Sequence, residues 1–328
     1  MRIVVFGEEQ RVGAWEGDRI VDLNRAFARY LDRRGETNPG QTADARVPSR
    51  LEAFIARGPA ALEDAQRAIP DAAADGGAVA YAANDVQLHA PWANRRIACV
   101  GGNFADHLLG MQANRPAGTT ASREQITREA REAGQWGFWK VPDVVAGPDA
   151  EIAFPKRTRY LDYEGEAAIV LGKRGKDIPA ERIGEYVWGI TLLNDWSIRD
   201  GMGSTRPMSY NLAKNFDGST SMGPCIVVGE LDPQGVEVET RINGIVRQRF
   251  STRDMIWSFA EVLELLSRDF TFVPGDVIAG GTGAGTAADK TKWLPDGTRP
   301  LDLFLKVGDV VELSSPKIGT LRNRVVQA

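Results

Sequence analysis

Asp162-Tyr163-Glu164-Gly165-Glu166 runs without a break into Ala167-Ala168-Ile169-Val170-Leu171. The apolar run reads as a buried strand with Glu164 and Glu166 at its entrance. Side chains alternate along a strand, so these two carboxylates point the same way. Side by side at a buried sheet they repel each other unless something cationic sits between them. A divalent metal is the simplest such cation. Asn194-Asp195-Trp196-Ser197-Ile198-Arg199-Asp200 follows a second apolar strand, and Asp195 offers a third oxygen. Hard ions such as Mg²⁺ take a few carboxylates plus waters. A lone Glu-x-Glu is more often a solvated face. Here the second acidic element, and a histidine upstream, favour the site.

The 328 residues allow one large domain or two, with ample core. A net charge of −4, with 26% charged residues and no basic run, argues against nucleic acid as a partner. No stretch approaches the roughly 18 consecutive apolar residues of a membrane span. The N-terminal apolar run, Ile3-Val4-Val5-Phe6, is too short for a signal peptide. A soluble, cytoplasmic protein is the expectation. Cys99 and Cys225 lie outside any Cys-x-x-Cys pattern and read as reduced, small apolar residues.

Residues 1–23 read as three short antiparallel strands. Ser49-x-x-Glu52 has the form of a capping box for a helix that stops at Gly58-Pro59, and 60–69 is the next helix. The Ala/Gly/Asp-rich stretch 71–85 reads as a linker. A small N-terminal domain is thus expected over 1–85 and a second domain over 91–328. Within the second, 111–140 is polar and shows no strand pattern. Ser122 caps a weakly amphipathic helix there, followed by Trp136, Phe138 and Trp139. It reads as a lid or as a static surface excursion. From 151 on strands dominate, with a hairpin turn at Asn243-Gly244 and one helix capped by Ser258-x-x-Glu261.

Gly280-Gly281-Thr282-Gly283-Ala284-Gly285-Thr286 invites a phosphate-loop reading. It lacks Gly-Lys-Ser/Thr, and no convincing helix begins after it, so nucleotide binding is not expected. Lys214 and Arg199 are each either anion binders or ordinary surface ion pairs. His107 follows the strand at 97–100, and His89 has no chemical company.

Taken in order, these pieces resemble the fumarylacetoacetate hydrolase family over roughly residues 95–328. The matching motifs include Val100-Gly101-Gly102-Asn103-Phe104-x-x-His107, Asp162 to Glu166, Asn194 to Asp200, Lys214-Asn215-Phe216-Asp217, Gly223-Pro224, Pro274-Gly275-Asp276, Gly281-Thr282 and Gly308-Asp309. The resemblance implies a mixed, mainly β fold, a β-sandwich roll with a small N-terminal α+β domain, assembled as a homodimer. It implies Mg²⁺ or Mn²⁺ at Glu164, Glu166 and Asp195. It makes His107, Lys214 and Arg199 catalytic, and it places substrate contacts at Gly281, Thr282, Arg199 and Lys214.

The implied chemistry starts with a small 2-oxo acid chelating the metal, a Lewis acid that stabilises an enolate. With His107 as general base, the expected reaction is hydrolysis of a C–C bond in a 2,4-dioxo acid. Decarboxylation, dehydration and isomerisation can use the same enolate, and a catalytically impaired binding homologue is a further alternative. Two departures stand out. Acylpyruvate-cleaving members carry His-x-x-Glu, whereas position 110 here is glycine. Glu124, Glu129 or Glu132 of the 111–140 excursion are candidate substitutes. The founding hydrolase has a glutamine where this chain has Met202.

Overall fold

The computed structural model describes the chain except residues 74–77, 115–116, 201–206 and 230; Met202 lies outside the described residues. Among the described residues two large sheets build the molecule, with a two-stranded ribbon, Ser197–Ile198 against Leu161–Asp162, beside them. In the larger, eleven-stranded sheet, Arg2–Phe6 pairs with Thr220–Val227, followed by Val187–Asp195, Gly165–Leu171, Val277–Thr282, Ile97–Gly101 and Trp136–Lys140. On the other side of Arg2–Phe6 lie Arg11–Glu16, Arg19–Asp22 and Ala80–Ala82, and the eleventh strand, Leu88–His89, also pairs with Arg2–Phe6. The N-terminal strands therefore extend the sheet that carries the central acidic strand. The five-stranded sheet runs Ile245–Ser251, Glu237–Ile242, Val310–Ser315, Gly319–Gln327 and Glu151–Phe154. The fold is mixed and mainly β, as the sequence implied.

Alternation along Gly165–Leu171 divides the core in two. Ala167, Ile169 and Leu171 join a cluster with Val238, Ile242, Leu313 and Leu321 of the smaller sheet. Ala168 and Val170 join Ile3, Val5, Phe27 and Phe54 of the N-terminal region. Both faces of the strand are covered, which is why it reads as continuously apolar.

Several local expectations need correction. The helix Leu51–Arg57 has Arg50 at its N-cap with no side-chain cap, so Ser49 does not form the capping box. Leu23–Asp32, capped by Asp22, and Pro39–Arg46 are further helices. Residues 136–140 are a strand paired antiparallel with Ile97–Gly101. The helix Arg123–Ala133 is capped by Ser122 as expected. It is docked by buried Ile126, by Arg131 over the Trp257 ring and by an Arg131–Glu261 ion pair. No described helix is long and apolar enough to cross a membrane.

Candidate active site

The antiparallel register brings the acidic residues together. Gly165 pairs with Asn194, and the Asp195 amide donates to the Glu164 carbonyl at 3.0 Å. Glu164 and Glu166 flank Gly165 on the opposite face, because a Cβ at Gly165 would strike Thr240 of the smaller sheet. Glu164, Glu166 and Asp195 are all buried, with ligand atoms within 4.8 Å of one another. Such an all-oxygen set fits a hard divalent cation.

Arg199 and Lys214, left open as surface residues, are buried in this cluster. Lys214 ends the helix Pro207–Lys214, and its Nζ donates to Glu164 Oε2 and Asp195 Oδ2 at 2.6 Å each, and to Ser197 Oγ at 2.7 Å. Arg199 donates through Nε to Asp162 Oδ2 at 2.8 Å and through Nη2 to Glu164. Lys140, which the sequence did not single out, is fully buried. It bonds Asp195 and also donates to the Lys214 carbonyl at 2.7 Å.

These cations treat the carboxylates unequally. Burial pushes the Glu164 carboxyl up, but the charges of Lys214 and Arg199 outweigh it and hold Glu164 below the ordinary range. Burial, then the negative charges of Asp195 and Glu164, push Glu166 well above that range. Its described hydrogen bond comes from the Gly281 amide, at 2.9 Å. Gly281 has φ +88°, and a Cβ there would crowd Asn103 and the Val100 carbonyl. Glu166 is thus a buried donor lacking a cationic neighbour at bonding distance among the described residues. A divalent metal would supply that charge.

His107 lies on the helix Ala105–Ala113, positioned by Asn103, whose side chain bonds the Gly280 carbonyl and both backbone groups of Trp257. Its partner is none of the glutamates of the excursion. Asp289 Oδ2 meets His107 Nδ1 at 2.8 Å. Asp289 sits on a one-turn helix, Ala287–Lys290, where the sequence offered no convincing one, closed by a Thr286/Asp289 capping box. The Gly285 amide donates to both Asp289 oxygens. Gly110 explains the exchange. A Cβ at 110 would come 2.7 Å from the Asp289 carbonyl oxygen and 2.8 Å from its Cβ. The glycine read as a missing carboxylate is the space that admits a different one. The Thr-x-x-Asp spacing was a legible signal for it.

A carboxylate accepts from Nδ1–H, so Nδ1 carries the proton and Nε2 is left as the basic nitrogen. His107 is near enough to Glu164 for the two groups to interact electrostatically. Thr282 Oγ1 donates to the Gly165 carbonyl at 2.9 Å and accepts from Gln248 Nε2 at 2.7 Å, so its hydroxyl braces the strand end.

Known proteins resemble this chain along its whole length. Oxaloacetate tautomerase YisK of Bacillus subtilis is 31% identical over 315 residues, covering 94% of each chain. The structure of a fumarylacetoacetate hydrolase from Exiguobacterium antarcticum matches over the full length of both chains, with a TM-score of 0.72 and 29% identity. A maleylpyruvate hydrolase from Sphingobium sp. SYK-6, solved with manganese(II) and pyruvate, shares the fold with a TM-score of 0.68 and 22% identity, over all of both chains. The family model described as fumarylacetoacetate (FAA) hydrolase C-terminal matches residues 96–326, and the chain belongs to that family.

Proposed function

We propose that this protein is a divalent-metal-dependent enzyme that moves a proton on a small 2-oxo acid, interconverting its enol and keto forms. Oxaloacetate is the first candidate substrate. The observation that carries the reading is the His107–Asp289 pair beside the acidic triad. The names of full-length relatives support the substrate, among them the tautomerases of Bacillus subtilis and Xenopus laevis. Glu164, Glu166 and Asp195 would hold the metal. When bound, Mg²⁺ or Mn²⁺ supplies Lewis acidity toward the oxygens of the substrate. Asp289 orients His107, whose Nε2 would carry the one proton that moves between C3 of the keto form and the C2 oxygen of the enol. Lys214 and Arg199 fix the carboxylates and add positive charge where negative charge develops.

C–C hydrolysis of a 2,4-dioxo acid is the second reading, because the same oriented Nε2 suits the activation of water. One experiment separates the two. Purified protein is given enol-oxaloacetate or acetylpyruvate, with Mg²⁺ or with EDTA. Metal-dependent loss of the enol, with no pyruvate from acetylpyruvate, supports tautomerisation. Metal-dependent pyruvate from acetylpyruvate supports the hydrolase. Neither activity above the EDTA control refutes both.

A further inference from the structure

Arg299 is a buried guanidinium with no carboxylate of its own among the described residues. It is 6% exposed, and its Nε is buried without a hydrogen-bond partner. Nη1 reaches the Ala288 carbonyl at 3.3 Å, and the guanidinium stacks 4.1 Å from the Trp293 ring centroid. No described carboxylate forms an ion pair with it. The acid that acts on it electrostatically, Asp162, is saturated. Asp162 Oδ1 accepts from the Tyr163 and Ala287 amides, and Oδ2 accepts from the Ala288 amide and Arg199 Nε. A carboxylate offers about four acceptor positions, and all are used. Burial and the nearby charge of Arg199 lower the Arg299 pKa to about 10.

The position joins this cation to the reacting groups. Ala288, which Arg299 touches, precedes Asp289, the partner of His107. Ala288 also bonds Asp162, which holds Arg199 against Glu164. Thr291, on the same loop, has a second buried polar atom with no partner, its Oγ1. Burying a cation without its counter-charge is costly, and an apolar side chain would stack on Trp293 without that cost. The charge is therefore spare, and it lies near enough to Arg199 for the two cations to repel.

We propose that Arg299 binds the distal carboxylate of a dicarboxylic 2-oxo acid, so that the site selects diacids over monoacids of equal length. This rests on the 2-oxo acid reading above and narrows it. An arginine–carboxylate contact replaces the orphaned donor with charge-assisted hydrogen bonds, worth about tenfold to a hundredfold in affinity.

Malate and 2-hydroxybutanoate have the same chain length and the same 2-hydroxy acid end; one carries a distal carboxylate where the other carries a methyl. Calorimetric titration with saturating Mg²⁺ compares them on wild type, Arg299→Gln and Arg299→Lys, with oxalate as the control for an intact metal end. Wild type should prefer malate at least tenfold. Arg299→Gln should bind oxalate normally and lose the preference, and Arg299→Lys should keep part of it. A wild type that binds oxalate but shows no preference overturns the inference. So does an Arg299→Gln variant that keeps it. Should that variant lose oxalate as well, Arg299→Lys decides: a reduced preference for malate with oxalate bound normally supports the contact, and an undiminished one overturns it. A wild type that binds no oxalate refutes instead the 2-oxo acid reading.

Discussion

Gly110→Ala tests whether the space beside Asp289 is what makes His107 a base. The added Cβ would stand 2.7 Å from the Asp289 carbonyl oxygen and 2.8 Å from its Cβ, both on a short, tightly bonded turn. Alanine gains about 1 kcal/mol over glycine within a helix. Overpacking costs about 1–3 kcal/mol. Net stability should therefore change little, between no loss and about 2 kcal/mol. Activity should change more. The turn relieves the contact by moving away, and Asp289 leaves its bond to Nδ1. Misplacing a catalytic group by about 1 Å costs on the order of a hundredfold. We expect kcat for enol–keto interconversion to fall about tenfold to a hundredfold, with the Mg²⁺ Kd unchanged. Gly110→Glu, which restores the His-x-x-Glu pattern, should not rescue, because Asp289 fills the volume that the new side chain needs. Stopped-flow decay of the enol, metal titration and thermal denaturation read the three quantities. A Gly110→Ala variant with wild-type kcat, at normal or raised Tm, would refute the reasoning.

Glu164→Gln, Glu166→Gln and Asp195→Asn should each abolish tight Mg²⁺ or Mn²⁺ binding in equilibrium dialysis, along with nearly all activity. His107→Ala should lose about 10²–10⁴ in kcat with Mg²⁺ and oxalate binding intact, and a wild-type rate would make it structural. Burial and the charges of Asp195 and Glu164 favour the protonated form of Glu166 in the metal-free site, and a metal would have to displace that proton. The protonated fraction falls as pH rises, so Mg²⁺ affinity should rise with pH, with proton uptake by the buffer visible in calorimetry across buffers of different ionisation heat. Lys140→Met removes one of the two buried cations on Asp195, leaving Lys214, and should destabilise the metal-free protein by about 1.5–3 kcal/mol. Added Mg²⁺ should recover part of that in thermal denaturation, and an unchanged Tm without metal would show that Lys140 carries no such load.

The local sequence was enough for what depends on neighbours along the chain. Two-residue alternation put Glu164 and Glu166 on one face. The capping pattern at Ser258 and the Asn243-Gly244 turn fixed their elements, and both are present as read. The matched motifs located Asp195, Lys214, Arg199 and His107, which the fold gathers around one point. Register and packing between distant segments needed the tertiary structure. Lys140 meets Asp195 because the strand that carries it lies at the edge of the large sheet beside the helix of Lys214, and no local pattern announces that approach. Asp289 pairs with His107 across 182 positions, through a gap left by a glycine. A missing side chain carries no signal about what fills its place. Side-chain charges can be counted along a chain, but whether each is neutralised depends on burial and on partners brought from afar. That is why Arg199 and Lys214 looked like surface ion pairs in the sequence, and why only the folded structure shows Arg299 without a carboxylate among the described residues.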